Sequence, residues 1–138
     1  MSATQFHSPI SRIFGEAFNQ GNLGVVDELL TPGRFAHRAH GGTPNGSESL
    51  KGLIALYRTA FPDLHCTVED EIGVDDKCAA HWTMRGTHQG VFMGNPPTGK
   101  QMQAQGIIFA KFEDGMIEEY QMLIDQFGLL QQLGIIPR

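Results

Sequence analysis

MQAQGIIFAKFEDGMIEEYQMLI, residues 102–124, decides the fold. Apolar residues recur with a period of two across Met102 to Phe112 and again across Met116 to Ile124, the mark of strands with a buried face. Between the two runs stands Asp114-Gly115, a strong hairpin signal, because glycine accepts the positive φ that a tight two-residue turn requires. Upstream, Leu64 to Val74 and Lys77 to Arg85 carry the same period around Asp75-Asp76, so four successive strands form an antiparallel meander.

The preceding half of the chain is helical. Ser8-Pro9 opens a first helix in which Ile10, Ile13, Phe14, Ala17 and Phe18 share an apolar face until Gly21. Asn22 is the expected cap of a short helix, Leu23 to Leu30, and Thr31-Pro32-Gly33 then turns the chain into a brief extended piece, Arg34 to His40. A third helix carries Leu50, Leu53, Ile54, Tyr57 and Phe61 on one stripe and stops at Pro62. Gln126 to Leu133 reads as a short terminal helix. Helices followed by a meander predict an α+β fold: one domain over residues 1–138, with a curved antiparallel sheet and three N-terminal helices enclosing a pocket. In a hairpin closed at Asp75-Asp76, Cys66 falls opposite Arg85, so Trp82 and Met84 point one way while Cys66 and Val68 point the other. Two apolar faces need two covers. The helices supply one, and a homodimer packed sheet against sheet supplies the other.

The formal net charge of -5, without a Lys/Arg cluster, argues against nucleic acid and anionic membrane surfaces as partners, and no apolar run approaches the length of a membrane span. The expected location is the cytoplasm, with free thiols at Cys66 and Cys78, and the expected partner is a hydrophobic small molecule. His37 and His40, three apart in an extended piece, face opposite sides and do not share a metal ion. No phosphate loop, dinucleotide fingerprint or nucleophile elbow is present, so no metal or cofactor is expected.

Acid/base chemistry is what the remaining residues allow. With a two-residue turn at Asp114-Gly115, Glu119, Gln121, Leu123 and Asp125 share a face opposite Ala104, Gly106, Ile108 and Ala110, small residues that leave space. Asp125 then ends a buried strand as a general acid/base, or alternatively caps the terminal helix. His37 shares the inward face of Phe35, and His88 stands where the long connection Gly86 to Gln101 begins. That connection is a lid with apolar tips, Val91, Phe92 and Met93. Trp82 and Phe92 are cavity wall and lid contact, with Met93, Phe14 and Tyr57 as further substrate-lining candidates; Gln105 and Gln121 are candidate amide donors if the strand register turns them inward.

Phe61-Pro62-Asp63-Leu64, Gly86-Thr87-His88, Gly94 to Lys100 (GNPPTGK), Phe112-Glu113-Asp114-Gly115 and Asp125 to Gly134 (DQFGLLQQLG) together resemble the SnoaL-like polyketide cyclases, or ester cyclases, of the nuclear transport factor 2-like superfamily. The resemblance covers nearly the whole chain. It implies a cone-shaped α+β barrel, usually homodimeric, with a deep apolar pocket and no cofactor. The implied chemistry is ring closure by intramolecular aldol condensation of a polyketide methyl ester, with an aspartate near the end of the last strand as general acid/base; Asp125 matches it. His37 lies near the HxP-like position after the second helix. Where relatives read Glu-His-Trp-Asp, this chain has Glu119-Tyr120-Gln121-Met122, which implies a different pocket. Two rival functions stay open: a binding protein without chemistry, and an epoxide hydrolase or hydratase, which would bring Arg85 and Glu119 beside Asp125.

Overall fold

The computed structural model describes residues 8–31 and 46–136. The extended piece Arg34 to His40, and His37 with it, lies outside them. Helix α1 (Pro9–Arg12) starts as expected, with Pro9 in its first turn and Ser8 Oγ accepting from the Ser11 N–H at 3.1 Å. It then widens into a π-helical turn, Ile13–Phe18, in which the Asn19 N–H reaches the Phe14 carbonyl at 3.0 Å. The wider turn still buries Ile13, Phe14, Ala17 and Phe18, and the Arg58 guanidinium satisfies the carbonyls left over at its end, on Phe18 and Asn19, at 2.7 and 3.1 Å. Gly21, at φ 76°, ends the helix.

Helix α2 (Gly24–Leu29) delivers Leu30 beside the last strand: Leu30 bridges Ile117 in parallel, and the Thr31 N–H donates to the Ile117 carbonyl at 2.9 Å. Helix α3 (Gly46–Ala60) buries Leu50, Ile54, Tyr57 and Ala60 on one stripe, and Phe61 follows into the core. Complete burial of one such aliphatic side chain stabilises by about 1.5–3 kcal/mol, so this stripe, more than the exposed Lys51–Asp27 ion pair, holds α3 on the sheet.

The strands β1 (His65–Val74), β2 (Lys77–Thr87), β3 (Gln101–Glu113) and β4 (Met116–Ile124) form one antiparallel sheet in the order β1-β2-β3-β4, and α4 (Gln126–Gln132) follows. The meander is the one its period predicts, but two β-bulges change its register. Between β1 and β2 the pairing slips at Glu69, so Cys66 faces Met84 and Val68 faces Trp82 instead of lying one residue out of step. All four therefore share the inner face, which corrects the expected division between two faces. Between β3 and β4 the slip falls at Glu118: Phe112 pairs with Ile117, yet Lys111 pairs with Glu119. Because side chains alternate with a period of two, that one extra residue turns Gln121, Leu123 and Glu119 outward and brings Tyr120 and Met122 in. Glu118 stays within 3.8 Å of Lys111 Nζ, which ties the bulge to its partner strand.

The outer face is apolar all the same. Ile72, Val74, Ile107, Phe109 and Leu123 are all about half to two-thirds exposed there, and register sets Ile72, Ala79 and Phe109 in one cross-strand row.

Candidate active site

The inner face presents cross-strand rows to the helices: Cys78, Ala110 and Tyr120; then Ala80, Ile108 and Met122; then Trp82, Gly106 and Ile124. In the third row the indole of Trp82 lies across β3 because Gly106 has no side chain. A Cβ on Gly106 would collide with Trp82 Cζ2 and stand 2.7 Å from Cε2 and 2.6 Å from the Leu123 carbonyl oxygen. Phe14 covers the indole with ring centroids 4.9 Å apart. Trp82 is wholly buried, and its Nε1–H has no hydrogen-bond partner among the described residues.

The connection from β2 to β3 is held at its base as a continuation of the ladder: the His88 N–H donates to the Lys100 carbonyl and the Gly99 N–H to the His88 carbonyl, both at 2.9 Å. The N–H groups of Gln89 and Gly90 both reach the Ala60 carbonyl at the end of α3, each at 3.0 Å. Its tip is a reverse turn in which Phe92 and Asn95 exchange backbone bonds at 3.0 and 2.9 Å, with Met93 at φ 49° and Gly94 at φ 81°. The turn drives Phe92 inward, against Tyr57 at 5.3 Å and Phe61 at 5.4 Å between centroids, and leaves Val91 and Met93 exposed.

His88 is wholly buried under this turn, beside Phe61 and Phe92. Its Nδ1 accepts from the Thr98 N–H at 3.2 Å and lies 3.0 Å from Thr98 Oγ1. An N–H donor at Nδ1 makes that atom the acceptor and assigns the ring proton to Nε2. The Nε2–H is thus buried without a partner among the described residues.

Asp125 follows β4 directly, its N–H donating to the Gln105 carbonyl at 3.0 Å. It is exposed and caps α4: Oδ1 accepts from the Gly128 N–H at 2.9 Å. This corrects the expectation of a carboxyl enclosed by small residues, which relied on the unbulged register. Gly128 is shaped to the carboxyl, since a Cβ there would collide with Oδ2 and sit 3.0 Å from Cγ. Next to it, Gln126 Nε2 donates to the hydroxyl of buried Tyr57 at 3.1 Å. Burial raises the Tyr57 phenol above its ordinary value, and the Gln126 bond offsets part of that.

Of the residues singled out in the sequence, Phe14, Tyr57, Trp82, His88 and Phe92 are thus gathered inside. Met93 points to solvent because its own turn directs Phe92 inward. Gln105 and Gln121 leave from the outer face, where Gln105 Oε1 lies 2.8 Å from His81 Nε2, so neither reaches the interior. Arg85 pairs with Gln103 and Glu119 with Lys111; eight residues of β3 separate them, about 26 Å, so the hydrolase constellation does not form. The contacts of Gln126 with Tyr57 and of Thr98 with His88 are not legible in the sequence, because they join residues brought together only by the fold, whereas the Gly128 bond belongs to the Asp125 cap that the sequence offers as one of its two readings.

Two openings stand in the described surface, and Phe14 lines the second of them. A polar cleft of about 400 Å³ is lined by Asp63, Arg85, Thr87, Gln103 and Gln132, and a groove of about 260 Å³ between the π-helical turn and β1 is lined by Phe14, Asn19, Cys66 and Val68. Among the described residues no three His, Cys, Asp or Glu side chains converge as a metal site would require, and no helix is long and apolar enough to cross a membrane.

The chain is 27% identical over 128 residues to the aklanonic acid methyl ester cyclase DauD of Streptomyces sp. (strain C5), covering 86% of this chain and 76% of that one. It is 26% identical over 125 residues to the enzyme of the same activity, DnrD, of Streptomyces peucetius, covering 86% and 84%. Among solved structures it is similar to IdmH of Streptomyces antibioticus, with a TM-score of 0.80 and 33% identity over 93% of this chain and 99% of that one. TsrD of Streptomyces laurentii shares the fold at a TM-score of 0.83 and 24% identity, over 99% of each chain. The sequence profile described as SnoaL-like polyketide cyclase matches residues 9–133, and with that match over almost the whole fold the chain belongs to the SnoaL-like polyketide cyclase family.

Proposed function

We propose that the protein is a cofactor-independent cyclase that closes a ring by intramolecular aldol condensation of a polyketide methyl ester, a reading supported by its family and by the names of its relatives DauD and DnrD as aklanonic acid methyl ester cyclases. The observation that carries this reading is the Asp125 carboxyl at the end of β4: Oδ1 is fixed by the Gly128 N–H, and Oδ2 has no hydrogen-bond partner among the described residues. Oδ2 acts as the base. It takes the proton α to a carbonyl, the resulting enolate carbon attacks a second carbonyl carbon of the same molecule, and the new alkoxide recovers the proton from Asp125. One C–C bond forms, no electron leaves or enters, and the step needs neither metal nor redox cofactor. Trp82, Tyr57, Phe92 and Phe14 are the aromatic lining, and the unpartnered Nε2–H of His88 anchors an oxygen at the lid end. The expected test result is that Asp125→Asn, with an unchanged circular-dichroism spectrum, loses about 10²- to 10⁴-fold in kcat on aklanonic acid methyl ester. Undiminished turnover would leave a binding protein as the better reading, which the exposure of Asp125 favours.

The outer face of the sheet supports a homodimer, because Ile72, Ile107, Phe109 and Leu123 form an apolar surface that a second copy would cover.

A further inference from the structure

The polar cleft at the base of the lid is lined by groups that the proposed ring closure does not use. Register sets Arg85 of β2 opposite Gln103 of β3 and Thr87 opposite Gln101, and with Gly86 and Met102 between them buried, these four side chains share the other face. They stand in two adjacent rows, about 5 Å apart across the strands and about 7 Å along them. On the β2 side stands Asp63, whose Oδ1 accepts from the Thr87 N–H at 2.7 Å and whose Oδ2 accepts from Thr87 Oγ1 at 2.8 Å. On the β3 side stands Gln132, its Oε1 accepting from the Gln103 N–H at 2.8 Å and its Nε2 donating to the Gln103 carbonyl at 2.9 Å. Both walls are thus fixed to the strands. Arg85 is not: among the described residues its exposed guanidinium has no ion pair or hydrogen bond, whereas Arg12 is held by Glu16 at 2.7 Å and Arg58 by the Phe18 and Asn19 carbonyls. The side-chain amides of Gln101 and Gln103 are likewise unpaired among the described residues.

We propose that this cleft of about 400 Å³ binds a small hydroxycarboxylate, with the Arg85 guanidinium on its carboxylate and the Gln101 and Gln103 amides and the Asp63 carboxylate on its hydroxyls. The planar fork of a guanidinium matches the two oxygens of a carboxylate, and concave walls concentrate its field. An amide gives a hydroxyl both a donor and an acceptor, and each Asp63 oxygen keeps a lone pair after its bond from Thr87. The same groups set the ligand's charge. One guanidinium balances one negative charge and Asp63 repels a second, so a phosphate or a diacid is disfavoured. The volume is that of a small-molecule site.

Gluconate, sorbitol, hexanoate and glucarate share a carbon chain length and differ in carboxylate and hydroxyl content, so they separate these contributions when titrated into the intact protein at pH 7 and constant ionic strength. In ¹⁵N–¹H spectra gluconate is expected to give saturable shifts at the Arg85, Thr87, Gln101 and Gln103 amides and at the two glutamine side chains. Sorbitol, without a carboxylate, and hexanoate, without hydroxyls, are expected to bind about 10-fold or more weakly, and glucarate more weakly than gluconate. Arg85→Gln is expected to weaken gluconate about 10- to 100-fold and to leave sorbitol unchanged, and Arg85→Lys, which keeps the charge without the fork, to recover only part of the loss. The sedimentation coefficient of Arg85→Gln is expected to equal that of wild type. The inference is overturned if gluconate binds no better than sorbitol or than chloride at equal ionic strength, if its shifts fall outside the cleft, or if Arg85→Gln binds it undiminished. A change of mass in Arg85→Gln would also overturn it, because the guanidinium would then pair with a second copy of the chain.

Discussion

The same chemical change, glycine to alanine, is expected to have opposite effects at two positions of this chain. At Gly106 the added methyl would lie 2.6 Å from the Leu123 carbonyl oxygen and 2.7 Å from Trp82 Cε2, where unstrained contacts need about 3.5–4.0 Å. The carbonyl belongs to the β4 backbone and cannot rotate away, so the strain falls on the sheet and on the indole. Overpacking of this kind costs about 1–3 kcal/mol, and the entropy that alanine saves in the unfolded chain returns about 0.5–1 kcal/mol. The net loss is about 1–2 kcal/mol, or a fall of about 4–8 °C in the melting midpoint of a domain this size. At Gly52, exposed in the middle of α3, an added Cβ meets nothing within 4 Å among the described residues. Gly52→Ala is therefore expected to gain about 0.5–1 kcal/mol from helix propensity and to melt about 2–4 °C higher. Differential scanning calorimetry gives both midpoints, and near-ultraviolet circular dichroism should change at Gly106→Ala because the only tryptophan is displaced. A Gly106→Ala protein that melts at or above wild type with an unaltered aromatic spectrum would refute the packing of Trp82 across β3.

Three further outcomes are expected. Burial pushes the thiols of Cys66 and Cys78 up from 9.0 to about 12, with Glu71, which accepts from Cys78 Sγ at 3.1 Å, adding to the second; at pH 8 both should react with a disulfide reagent about 10³-fold more slowly than in denaturant, and rapid native labelling of either would contradict their burial. The Thr87 N–H holds the Asp63 carboxyl below its ordinary 3.8, so its contribution is complete above the unfolded value and fades as pH falls through the lower folded one; the melting gap between wild type and Asp63→Asn should be full at pH 7 and close toward pH 2, whereas a gap that widened in acid would reverse the sign. Phe109→Glu, which places a charge at the centre of the outer apolar row, should convert a dimer to monomer in analytical ultracentrifugation without lowering the melting midpoint of the monomer; an unchanged mass would move the interface elsewhere.

Much of this protein could be read from local pattern. The strand period, the turn at Asp114-Gly115, the Ser8-Pro9 helix start and the stripe on α3 are short-range properties of the backbone, and they specify an α+β meander with little room for another answer. The aromatic interior followed from the same periods, and so did the place of Asp125 at the junction of β4 and α4.

What only tertiary structure decided was which way the side chains point. One extra residue at Glu69 and one at Glu118 reverse the expected facing of β1 and β4; neither is a glycine or proline that would announce a bulge, and each is held by a partner on another strand, Thr83 Oγ1 at 2.6 Å from Glu69 and Lys111 Nζ at 3.8 Å from Glu118. Gln121 left the site for that reason, and Tyr120 entered the interior. The ring proton of His88 likewise depends on Thr98, ten residues away across the lid, and the lie of Trp82 on a glycine of the next strand. A period of two states that a face exists; contacts between strands determine which residues form it.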